Sequence, residues 1–147
     1  MRRVSIIIGV CFILALVIGL GGQERNLDAI MKDVAPIWQG GRGAPGIGAR
    51  GGALESATPD TAKIAADAAK LQSLFKEAED QFTKLKMAEA AGMAKNVSEA
   101  AGNLAKEAKT GKIADTQASK AAIAQCKGCH DKYRESDGAG GFKLKMQ

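Results

Sequence analysis

Near the end of this 147-residue chain, Cys126-Lys127-Gly128-Cys129-His130 runs directly into Asp131-Lys132-Tyr133-Arg134. Residues i, i+3 and i+4 share one face of a helix, so Cys126, Cys129 and His130 all point the same way. Two thiols and an imidazole at this spacing are the pattern by which a c-type haem is attached. Each thiol adds to a vinyl group, and the histidine coordinates iron from the same helical face. On this reading Cys126 and Cys129 are covalent anchors, and His130 is the proximal ligand of a single haem c.

Three rival chemistries use the same residue types. A zinc site needs four ligands, but the chain has no second histidine, and its remaining cysteine, Cys11, lies far upstream in an apolar run. A thioredoxin-like dithiol needs a strand-to-helix junction, and no strand pattern follows residue 23. A structural disulfide between Cys126 and Cys129 accounts for the thiols but leaves His130 unexplained.

The length fits one domain. Alanine is abundant and aromatics are few, with one Trp, one Tyr and four Phe. Small side chains bury little apolar area each, so a helical domain built from them gains stability if something large fills its interior. The net charge is +5, and Arg2 and Arg3 are the only charges before Glu24, so loss of residues 1–21 lowers it to +3. The lysines are spread singly over helix faces, with no basic patch interleaved with aromatics, which argues against nucleic-acid binding.

Met1-Arg2-Arg3 followed by an apolar run from Val4 to Leu20 is a charged n-region and hydrophobic segment. The small residues Gly19 and Gly21 place cleavage after Gly21. The expectation is an export signal over residues 1–21 and a periplasmic product, with an uncleaved membrane anchor as the alternative. Export agrees with the haem reading, because covalent attachment is completed outside the cytoplasm.

Beyond the leader, helical spacing recurs four times. Asn26 is a good N-cap, and Leu27, Ile30, Met31, Val34 and Trp38 form one apolar stripe, with Pro36 expected to kink or end the helix near Ala35. Residues 40–52 are too glycine-rich for regular structure and read as a long flexible connector with no phosphate-loop pattern. Thr58-Pro59-Asp60 reads as a helix start with Thr58 as cap, and Ile64, Ala68, Leu71, Leu74, Phe75 and Phe82 follow at helical spacing. A break is expected between Lys84 and Met87, then a helix carrying Met87, Met93, Val97, Ala101, Leu104 and Ala108 up to Gly111. The last helix begins between Lys112 and Thr116 and carries Ile113, Ala122, Ile123, the cysteine motif and Tyr133. Residues 136–147 read as a flexible tail. The fold class expected is therefore all-α, an antiparallel four-helix bundle over residues 22–135.

With the motif on the last helix of an alanine-rich four-helix chain, residues 24–135 resemble the class II c-type cytochromes, a family that includes cytochrome c prime and its low-spin, methionine-ligated relatives. Most c-type cytochromes carry the motif near the N-terminus, so its late position separates this class from the rest. The resemblance implies that the first helix lines the distal side of the haem. Met31-Lys32-Asp33-Val34-Ala35-Pro36 resembles the segment that supplies a distal methionine, which makes Met31 the second axial ligand; the alternative is that Met31 is core. Met87, Met93 and Met146 are fallback ligands. Many members carry an arginine one turn before the distal residue, whereas here Leu27 holds that place and Arg25 lies six residues before Met31. Members often dimerise, which leaves a homodimer open.

Two functions follow. With Met31 bound, the iron is six-coordinate and suited to single-electron transfer with redox partner proteins, which Lys127 and Lys132 could steer. With Met31 as core, the iron is five-coordinate and suited to binding nitric oxide or carbon monoxide. His130 is the only histidine and is used on the proximal side, so no acid–base group points to an enzyme.

Overall fold

The computed structural model describes residues 25–41, 43–111, 116–138 and 142–145. The expected export segment, Cys11, Ile113 and Met146 lie outside them. Over the described residues the chain is predominantly helical, consistent with the all-α expectation.

Helix α1, Leu27–Trp38, opens at Asn26, whose side-chain oxygen accepts the Ala29 amide at 2.9 Å. Ile30 and Val34 are buried, and Leu27, Met31 and Trp38 pack partly buried against the same core. Pro36 does not end the helix near Ala35; it sits inside the last turn, and the helix continues to Trp38. A proline this close to the end removes one bond only, and the Gln39 amide still reaches the Ala35 carbonyl.

The glycine-rich stretch is folded against the core rather than strung out. Gly40–Gly41 (β1) pairs antiparallel with Ala44–Pro45 (β2), and a short 3-10 turn covers Ala53–Glu55. Ile47, just after β2, and Leu54, in the 3-10 turn, are only 1% and 4% exposed. Gly48 lies directly against the Trp38 indole: a Cβ there would meet a ring carbon at 2.3 Å. Glycine serves close approach here, a use that composition does not distinguish from flexibility.

Helix α2, Thr61–Lys84, is capped by Asp60, whose carboxylate accepts the Lys63 amide at 2.9 Å. The cap is thus two residues later than Thr58, because Asp60 is the side chain that meets an otherwise unpaired first-turn amide. Ile64, Ala68, Leu71, Leu74, Phe75 and Phe82 are buried as the stripe requires. The helix ends in the expected break: Lys86 takes φ 58°, its amide bonds Thr83, and the Met87 amide reaches back to Phe82 at 2.9 Å. Helix α3, Ala88–Lys109, then folds back along α2 as an αα-hairpin, the most extensive helix pair in the structure. Its buried face is mostly alanine, and Ser98 donates its hydroxyl to the Gln72 carbonyl across the pair at 2.9 Å. Gly111, at φ 74°, follows the helix end as expected.

The fourth helical segment is broken at Gln125 into α4, Gln117–Ala124, and α5, Cys126–Tyr133. Backbone bonds tighten to i→i−3 around this point, from Gln125 to Ala122 and from Gly128 to Gln125. The Cys126 thiol donates to the Ile123 carbonyl at 2.6 Å, competing for an acceptor that a continuous helix would use. Beyond Tyr133 the chain turns extended, and Arg134–Ser136 (β3) pairs antiparallel with Phe142–Leu144 (β4). Residues 142–144, read from composition as part of a mobile tail, thus satisfy the backbone groups exposed where the helix stops. The Lys145 amide adds a bond to the Tyr133 carbonyl at 2.8 Å. Among the described residues no helix is long and apolar enough to cross a membrane.

Because the Trp38 ring has no room beside Gly48, Gly48→Ala is expected to cost about 1–3 kcal/mol by overpacking. A urea-unfolding midpoint together with the emission of Trp38 checks this.

Candidate functional site

Between α1, the α2–α3 hairpin, α5 and β4 lies a cleft of about 1380 Å³. That exceeds the roughly 300–1,000 Å³ typical of small-ligand pockets. Cys126, Cys129, His130 and Met31 all line it. Trp38, Phe75, Phe82, Met93 and Val97 supply apolar wall from the other helices. The first-helix stripe brings Met31 to the cleft, and α5 brings the other three. Of the fallback methionines, Met93 also lines the cleft, whereas Met87 packs against the core without lining it.

Both thiols are free and half-buried. Burial pushes the Cys126 thiol up to about 11, and burial together with the charge of Glu89 raises Cys129. Dithiol redox chemistry depends on a lowered thiol pKa, so this environment is wrong for a thioredoxin-like role. His130 is shifted the other way: burial first, then the Arg134 charge, lower its pKa against the opposing pull of Asp131. The imidazole is therefore neutral at pH 7, the form that coordinates a metal. Among the described residues no three His, Cys, Asp or Glu side chains gather to hold a bare metal ion. Two thiols, one neutral imidazole and one thioether around a large apolar space suit a haem bound covalently and by its iron.

A bracket that the sequence does not announce fixes α5. Tyr133 is buried, and its hydroxyl donates to Glu89 in the first turn of α3 at 2.8 Å, while the Lys132 ammonium reaches the same carboxylate at 2.6 Å. These two partners hold the Glu89 pKa below its ordinary value, Lys132 contributing most. No local spacing links residues 89 and 133, so only their acid and phenol identities could have hinted at it. Lys127 pairs with Asp131 at 2.6 Å, so both lysines considered for steering a partner already have carboxylate partners. Arg25 joins Asp33 at 2.5 Å and Glu77 at 3.5 Å, tying the start of α1 to α2.

A scan against protein-family models, a search of curated proteins and a search of solved structures each returned no match.

Removing the bracket with Glu89→Gln is expected to lower the unfolding midpoint at neutral pH. A depressed carboxylate pKa contributes stability above the unfolded value and loses it as pH falls through the folded one. The gap between Glu89→Gln and wild type is therefore expected to close as pH drops below the ordinary glutamate range, in parallel urea titrations.

Proposed function

We propose that this chain is an exported c-type cytochrome with one haem, an antiparallel four-helix bundle that passes single electrons between redox partner proteins. Cys126 and Cys129 are the covalent anchors, His130 is the proximal ligand and Met31 the distal one. The observation that carries the reading is that these four residues, drawn from opposite ends of the described chain, line one large apolar cleft. When bound, the haem supplies a one-electron iron couple.

The chain's own residues hold and insulate that group. Trp38, Phe75, Phe82 and Val97 keep water from one side of the cleft, which strengthens electrostatic interactions inside it. The Ile30 and Val34 side chains seat α1 on the hairpin, so Met31 is carried on a fixed element. The Glu89 bracket does the same for α5 and His130. Ligands fixed on packed helices leave little to reorganise when the charge on the site changes. The basic, apolar leader at residues 1–21 supports export to the periplasm, where attachment is completed.

A pyridine haemochrome assay on protein made with haem-maturation machinery tests attachment, and the spectrum of the reduced protein tests ligation. Sharp low-spin bands unchanged by carbon monoxide are expected; bands that shift on its addition would give the five-coordinate, gas-binding reading instead. Cys126→Ala or Cys129→Ala is expected to lower holoprotein yield and loosen the helices, read by circular dichroism and melting temperature. Met31→Ala is expected to open the sixth position, lower the reduction potential and admit carbon monoxide, at a stability cost of about 2 kcal/mol because Met31 is only partly buried. Retention of the wild-type low-spin bands in Met31→Ala would transfer the role to Met93, the other methionine at the cleft among the described residues.

A further inference from the structure

Four described cations line the cleft: Lys32, Lys127, Arg134 and Lys143. Three have carboxylate partners, Lys32 with Asp28, Lys127 with Asp131 and Lys143 with Glu135. Arg134 has no ion-pair partner among the described residues; its guanidinium lies over the Phe142 ring, 3.6 Å from the centroid. The strand pairing explains the stack. Ser136 faces Phe142 in the β3–β4 register, so Arg134, two residues earlier, is the diagonal neighbour of Phe142 on the same face. Glu135 and Lys143, directly opposite one another, form their ion pair on the other face.

Phe142 is 57% exposed, so its ring gains little by burial in the core. What it does is hold the Arg134 guanidinium over its ring beside the cleft, and among the described residues no hydrogen bond or ion pair takes up the N–H fork of that guanidinium. Such a fork matches a carboxylate bidentately, and stacking on an aromatic ring leaves those edge donors available.

We propose that Arg134, oriented by Phe142, is the carboxylate anchor of the cleft, and that it binds a propionate of the tetrapyrrole. This rests on the haem reading above. The C-terminal strand then belongs to the binding site: it supplies Phe142 as a positioning residue and Leu144 as cleft wall.

The test compares protoporphyrin IX, which has two free carboxylates and no iron, with its dimethyl ester, each titrated into the full-length chain with reduced thiols. Binding is read by quenching of Trp38, which lines the cleft. One charge-assisted bidentate contact corresponds to about ten- to hundredfold in affinity, so wild type is expected to prefer the diacid by at least about tenfold. Arg134→Met is expected to abolish that preference, Phe142→Ala to weaken it, and Arg134→Lys to restore only part of it. Lys106→Met, which removes an exposed cation of α3 that does not line the cleft, is expected to leave it unchanged. An equal preference in wild type and Arg134→Met, or an equal loss in Lys106→Met, overturns the anchor while leaving the haem reading in place. Failure of both porphyrins to bind wild type overturns the haem reading, and the anchor with it.

Discussion

The seam between α2 and α3 is where small side chains matter most. Alanine along the buried face of α3 lets the two backbones approach closely, so the pair is held by many small contacts and few large ones. Some of the bulky side chains, Phe75, Phe82, Met93 and Val97, are then free to face the cleft, while Ile64, Leu71 and Leu104 are fully buried. A core built from larger residues would have filled that space. The same composition that makes the hairpin compact leaves room for a large occupant.

Every other element is placed relative to this hairpin. Arg25 and the α1 stripe fix the first helix on α2, and the Glu89 bracket fixes α5 on α3. The two walls are held differently. One rests on buried apolar contact with a peripheral ion pair, the other on a carboxylate shared between a phenol and an ammonium. The second includes a carboxylate whose pKa its partners hold down, so the α5 side loses that contribution in acid.

Helix content and the faces of the helices were legible because 3.6-residue periodicity records burial directly. Ile30, Val34, Leu71, Phe75 and Leu104 are where that pattern puts them. The local cysteine–histidine motif was legible for the same reason: its spacing is its geometry. What was hidden depended on contacts distant in sequence or on a residue having two uses. Glycines 40–52 read as slack, yet Gly48 is required by the bulk of Trp38. Asp60 and Thr58 are both good caps, and only the chain path selects between them. The β3–β4 pairing needs a partner strand for three residues that carry no strand pattern of their own. The break at Gln125 coincides with a side-chain bond from the Cys126 thiol to the Ile123 carbonyl, which no propensity scale contains.

The three-residue turn at Leu85–Met87 also bears on the order in which the chain assembles. Contacts between α2 and α3 are local, and local contacts close fast, on the microsecond to millisecond scale of helical hairpins. Docking of α1 and α5 closes much longer loops, so it comes later. The segment bearing Cys126 and Cys129 therefore joins an already formed scaffold. Until it docks, both thiols are in water, and a thiol-directed reagent meets them on an accessible peptide rather than as half-buried groups inside a finished protein.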